Sequence, residues 1–147
     1  SDTLALREAL IDGTIDIIGT DHAPHSSEKK DCEWENAAFG MVGLENAASV
    51  AQEVLIESSD AGWLRLEQVL STKPAEIAQL SNQGKLEVGQ DANIVLIEPS
   101  ARREISANTH SKSTNNPFNG HVLPGEVVHT IYRGVFTVKD SKLVELS

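Results

Sequence analysis

The stretch that most constrains this chain runs from residue 15 to residue 30. Ile15-Asp16-Ile17-Ile18 is a short, apolar, β-branched run. It leads into Gly19-Thr20-Asp21-His22-Ala23-Pro24-His25-Ser26-Ser27-Glu28-Lys29-Lys30, a polar loop with one carboxylate and two imidazoles. Apolar runs of this kind read as buried strands. Strand ends that carry such groups are where α/β enzymes place their chemistry. The preceding segment fits that class. Leu4 to Leu10 reads as the end of a helix, with Leu6, Ala9 and Leu10 on one face, and Asp12-Gly13 stops it.

Beyond the loop the chain divides into two textures. Residues 26–43 predict a long loop, polar at first, with Trp34 and Phe39 further on. Leu44 to Glu57 predicts a helix with Leu44, Ala47, Ala48, Ala51, Val54 and Leu55 as its apolar stripe. Leu66 to Leu70 reads as a short helix, and Pro74 suits the first turn of another. From Gly84 the pattern becomes β. Gly89-Gln90-Asp91 is a turn before a strand from Ala92 to Ile97, and Arg103 to Ala107 fits another. Ser111 to Gly120 is a polar loop. Glu126 to Tyr132, Val135 to Val138 and Leu143 to Leu146 read as strands, separated by turns at Arg133-Gly134 and Lys139-Asp140-Ser141. The expected division is therefore an α/β part over residues 1–83 and a β-rich part over residues 84–147.

Charge and cysteine content narrow the function. Twenty-two acidic residues face twelve Lys and Arg, for a net charge of -10. With no basic cluster, nucleic-acid binding is not expected. No apolar run reaches the length of a membrane span. Cys32 is the single cysteine, so no internal disulfide is possible; a reducing, cytoplasmic location is the expectation. Ser1-Asp2-Thr3 lacks the pattern of a signal peptide. It opens almost directly into a helical pattern, as an internal cut would.

An aspartate at a strand end beside histidines suggests metal-assisted hydrolysis. A carboxylate oxygen binds Zn²⁺ at about 2.0–2.2 Å. The metal brings the pKa of its bound water to about 7. The same carboxylate can take a proton and pass it to a leaving nitrogen. A nearby imidazole can orient an anionic substrate, and Pro24 stiffens the turn before His25. One Asp and two His do not fill a zinc site, however. These residues also fit a turn in which Asp21 binds backbone amides. Cys32 has no obvious partner, no Gly-x-Ser-x-Gly elbow occurs, and Gly40 with Gly43 leaves a phosphate loop incomplete.

Gly19-Thr20-Asp21-His22-Ala23-Pro24-His25, followed by Lys30, resembles the second signature of dihydroorotases in the amidohydrolase superfamily, closest to the longer bacterial type. Arg7 to Leu10 and Asp12 to Asp16 are similar to the segment leading into it. Ala38-Phe39-Gly40 and Gly43-Leu44-Glu45 resemble the loop and helix start after it. Ser111-Lys112-Ser113, Asn116-Pro117-Phe118, Gly120, Gly125, Val127 and Thr130-Ile131 resemble the C-terminal segment. Ala92-Asn93 departs from a frequent Ala-Asp, at a position read as structural.

The resemblance implies an α/β fold. The chain would be the last part of a (β/α)8 barrel, then the C-terminal strands of a composite β-sandwich domain. A whole barrel takes about 250 residues, so residues 15–18 would be its eighth strand. The implied reaction interconverts N-carbamoyl-L-aspartate and (S)-dihydroorotate, with zinc, in pyrimidine synthesis. Asp21 matches the aspartate that binds metal and shuttles the proton. His25 matches the histidine that holds the substrate carboxylate, and Phe39 and Gly40 match the pair whose backbone meets the substrate ring. His22 matches a position with no direct role, where support or packing is the expectation. Lys30 is expected in a solvated salt bridge, Trp34 in loop packing, and His110, His121 and His129 at the surface or in packing. The family's His-x-His pair, carboxylated lysine, two further metal histidines and carboxylate-gripping arginine match nothing in this chain. The chain alone is thus expected to be inactive, and to pair with an upstream segment or form a homo-oligomer. Two other readings stay open: a hydantoinase or allantoinase, in which His25 need not hold a carboxylate, and an inactive partner that scaffolds aspartate transcarbamoylase.

Overall fold

The computed structural model describes residues 1–106 and 110–145. Helix α1 spans Asp2–Asp12 and ends on Gly13, whose φ of 92° is the left-handed conformation that closes helices. Asp12 Oδ1 accepts the Thr14 amide at 2.8 Å, which holds its carboxyl below the ordinary value. Helix α4 (Gly62–Glu67) supplies Arg65, whose guanidinium donates to the carbonyls of Leu10 (2.8 Å) and Ile15 (2.5 Å). One side chain thus fastens the end of α1 and the segment that follows to the same helix.

The expected strand at 15–18 is corrected. It carries no ladder among the described residues, and the Ile18 amide bonds to Val69 O at 3.1 Å, on a helical turn. A strand needs a neighbour to exchange hydrogen bonds with, and among the described residues no parallel strand lies beside this segment. The segment still leads into the polar loop, where His22 and Met41 form an isolated parallel bridge.

The loop over 26–43 is more structured than its composition suggests. It holds the helical turn α2 (Ser27–Lys30) and a 3₁₀ turn at Trp34–Asn36. The next helix begins later than expected. Residues 44–46 form a turn, α3 spans Ala47–Gln52, and wider π-type turns continue it over Glu53–Glu57. Helix α4 runs without a break through Gln68–Thr72 into α5 (Lys73–Ile77). The two short helices expected there are one, since a π turn just before Pro74 accommodates a residue without an amide hydrogen. Ala51, Leu55, Leu66 and Val69 form the buried cluster between α3 and α4, with Leu10 and Ile18 packed on it. Leu44, expected on the buried stripe, is exposed because it lies before the helix starts.

The second half is a four-stranded antiparallel meander in the order β1-β2-β3-β4. Its strands are Ile94–Glu104, Val122–Tyr132, Val135–Lys139 and Lys142–Leu143. The strand starting at residue 92 and the one starting at Arg103 are a single β1, bent by register shifts between Glu98 and Arg102. Ala107 and Leu146, expected strand ends, lie outside the described residues. Arg133-Gly134 and Asp140-Ser141 all take positive φ, as tight hairpin turns require. Asn93 Oδ1 accepts the Arg133 amide at 2.8 Å, so Ala92-Asn93 serves the hairpin. Buried Gln52 joins the halves by donating to Pro99 O at 2.9 Å. Between β1 and β2 the chain leaves the sheet, and residues 111–120 reach back to the polar loop.

Candidate functional site

Three segments meet at the loop: residues 20–25, residues 38–43 and residues 111–116. Asp21 sits at the turn of the first. Its φ of 44° is left-handed, which Asp tolerates better than most residues. Its side chain is exposed.

His25 is half-buried, and its Nε2 lies 2.7 Å from Phe39 O. That contact brings together three of the expected site residues, His25, Phe39 and Gly40. Gly40 has a φ of 127°, and a Cβ there would stand 2.6 Å from Ala23 Cβ, 2.7 Å from Ala23 O and 3.2 Å from His25 Nε2. Only glycine fits, because both the φ and the space exclude a side chain. Asp21 lies on the same loop, four residues before His25.

Several supporting roles differ from expectation. His22 Nδ1 accepts the amides of Gly43 (3.1 Å) and Leu44 (3.3 Å). Its ring therefore ties the Asp21 turn to the approach of α3, and Nε2 carries its proton. Among the described residues Lys30 makes no salt bridge of the kind expected. Its ammonium donates to Ala38 O (2.7 Å) and Gly40 O (3.1 Å), binding carbonyls that the tight loop turns inward. Trp34 does not pack; it is 91% exposed, and Phe39 is 95% exposed. Both rings stand on the surface around the loop, where the described residues offer nothing to cover them. His110 and His121 are exposed, His121 edge-on to Phe118, while part-buried His129 lies edge-on to Phe136 and accepts the Asp140 amide at 3.1 Å.

Ser113 and Asn116, which the sequence marks only by resemblance and without a role, complete the loop together with Asn115 and Asn46, which sequence reasoning did not single out. Ser113 Oγ donates to His25 O and Asn115 Nδ2 to Gly40 O, both at 2.7 Å, while the Val42 amide donates to Asn115 O at 2.9 Å. Buried Asn46, just before α3, donates to Asn116 Oδ1 at 2.9 Å. The visible signal was a polar Ser- and Asn-rich run; its target lies 75 to 88 positions away.

The amidohydrolase family model matches residues 1–137. The chain belongs to the amidohydrolase family. Among curated relatives, a dihydroorotase of Streptomyces coelicolor is 48% identical over 144 residues, covering 97% of this chain and 34% of that protein. A dihydroorotase of Mycobacterium tuberculosis is 41% identical over 145 residues, with the same shares. This amidohydrolase chain thus spans about a third of the length of those relatives. Among solved structures, a D-hydantoinase (dihydropyrimidinase) from Thermus sp. matches with a TM-score of 0.89 at 27% identity, over 96% of this chain and 32% of that one. The L-hydantoinase of Arthrobacter aurescens matches with a TM-score of 0.83 at 26% identity, over 97% and 33%. The fold class stands as α/β: the end of an amidohydrolase barrel followed by antiparallel strands.

No group of three or more His, Cys, Asp or Glu that could hold an ion occurs among the described residues. Asp21 is a donor of the right chemistry, but one carboxylate does not make a zinc site. The described residues alone do not fit a complete zinc centre.

Proposed function

We propose that this chain is the C-terminal part of a dihydroorotase, which interconverts N-carbamoyl-L-aspartate and (S)-dihydroorotate in cytoplasmic pyrimidine synthesis. Residues 1–83 are read as the end of its barrel and residues 84–147 as a segment of a composite β domain. The observation that carries the reading is the seat of His25 on the Phe39-Gly40 turn, four residues after Asp21. A cation-capable imidazole beside exposed backbone suits a small cyclic substrate with a carboxylate.

In this reading His25 holds the carboxylate, and the backbone of Phe39 and Gly40 borders the ring. Asp21 takes a proton from the attacking water during ring opening and gives it to the departing nitrogen; in ring closure the proton moves the other way. Asp21 is also read as one zinc ligand, its partners lying outside this chain. The described residues supply no further cluster of metal donors beside it.

A hydantoinase is the second reading, since the solved structures named above carry that name. His25 separates the two, because a neutral hydantoin has no carboxylate for it to hold. The test is turnover by the zinc-loaded longer protein. Dihydroorotate should be hydrolysed with a kcat/KM at least tenfold above that for unsubstituted hydantoin. Faster turnover of hydantoin would overturn the assignment.

A further inference from the structure

The polar segment between β1 and β2 contacts both sides of the loop assigned to substrate. Ser113 is buried, and its hydroxyl is used twice: it donates to His25 O at 2.7 Å and accepts the Asn115 amide at 3.3 Å. Asn115 then reaches the facing segment with both of its ends. Its side-chain amide donates to Gly40 O at 2.7 Å, and its carbonyl accepts the Val42 amide at 2.9 Å. Lys30 donates to the same Gly40 oxygen, so both lone pairs are engaged and the orientation of that peptide is fixed.

The strap is itself braced. The Ser113 amide donates to Ser111 Oγ at 3.2 Å, and Asn116 Oδ1 accepts both the Phe118 amide (3.1 Å) and the Asn46 side chain (2.9 Å). Its rigidity therefore comes from buried polar bonds that include one to the approach of α3. Bonds of this kind hold a geometry more tightly than they add stability, because each replaces a bond to water.

We propose that Ser113 and Asn115 are positioning residues that set the spacing between the His25 imidazole and the Phe39-Gly40 backbone, and hence the affinity for a carboxylate-bearing cyclic substrate. This rests on the reading of His25 and Gly40 as substrate contacts. Neither strap residue touches substrate; each acts through the residue whose carbonyl it holds. The coupling also makes the β half of the chain part of the site's geometry.

The experiment uses the zinc-loaded longer protein, with dihydroorotate as substrate. Ser113→Ala and Asn115→Ala should each raise KM roughly 3- to 10-fold, the size of one lost buried hydrogen bond, with kcat within about twofold. Ser113→Thr keeps the hydroxyl and should restore KM. In a His25→Ala background, Ser113→Ala should raise KM no further, because the imidazole it positions is gone. A full KM rise in that background, or unchanged KM in both single variants, would overturn the proposal. If Asn115→Ala does not fold, Ser113→Ala and its cycle decide alone.

A substrate-free readout separates this inference from the functional reading. Amide hydrogen exchange of residues 36–42 should quicken in Asn115→Ala. If the wild type ignores dihydroorotate while that exchange quickens, the strap stands and the substrate assignment falls. Unchanged exchange overturns the strap whatever the substrate.

Discussion

Nε2 of His25 lies 2.7 Å from the carbonyl oxygen of Phe39. A carbonyl only accepts, so Nε2 carries a proton and donates. A neutral ring then presents a lone pair at Nδ1. A carboxylate can bond there only when that nitrogen is protonated as well. His25→Gln, whose side-chain amide can still donate to Phe39 O, should keep the melting temperature of the longer protein close to wild type while raising KM for dihydroorotate. Thermal melting and steady-state kinetics check both. A KM at the wild-type value would show that the carboxylate is not held by the second ring nitrogen of His25.

Gly40→Ala should disable the loop. The new Cβ meets Ala23 Cβ at 2.6 Å and the backbone oxygen of Ala23 at 2.7 Å, at a φ of 127°. Neither neighbour is the end of a flexible side chain. We expect a local cost of about 2–4 kcal/mol. Displacement of His25 and Phe39 should lower kcat/KM by roughly two orders of magnitude. Thermal melting and steady-state kinetics on the same preparation check both; a variant unchanged in both would refute the close packing described.

His22 should act through its ring nitrogen, not through metal. Nδ1 accepts two backbone amides, and the side-chain oxygen of Asn can occupy a similar place. His22→Ala should cost about 1–2 kcal/mol, a melting shift of roughly 2–4 °C in the longer protein. His22→Asn should recover most of it. If metal content falls in His22→Asn while its melting temperature stays at the wild-type value, the residue is a ligand rather than a brace.

The sequence was most legible where chain geometry is local. Arg133-Gly134 and Asp140-Ser141 announce their hairpins because few residue pairs accept positive φ, and Asp21, His25, Phe39 and Gly40 all fall on one loop. The strand at 15–18 was misread because a ladder depends on a neighbour, which composition does not reveal. Lys30 looked like a surface charge, yet its partners are carbonyls 8 and 10 positions away. Ser113 and Asn115 were the hardest to read. Hydrogen bonds across 75 to 88 positions leave no trace in local pattern, and a Ser- and Asn-rich run has the texture of an ordinary loop.

The 147 residues by themselves should show no dihydroorotase turnover with zinc. Their described part offers one carboxylate for a metal and no cluster that could complete the site. A largely apolar cavity of about 280 Å³, lined in part by Leu10, Ile18, Met41, Val50, Val54 and Phe118, opens on the surface, and exposed apolar surface favours association. The purified chain should self-associate in sedimentation, or bind an added upstream segment. A catalytically active monomer of this chain would contradict both expectations.

The most direct measurement concerns His25 in the longer, zinc-loaded protein. Wild type and His25→Ala are assayed with dihydroorotate and with unsubstituted hydantoin. If the imidazole holds a substrate carboxylate, His25→Ala should raise KM for dihydroorotate by roughly 30-fold or more, as loss of a charge-assisted hydrogen bond of about 2–3 kcal/mol does, and leave residual hydantoin turnover unchanged. Equal losses on both substrates, or an unchanged KM for dihydroorotate, would contradict the account.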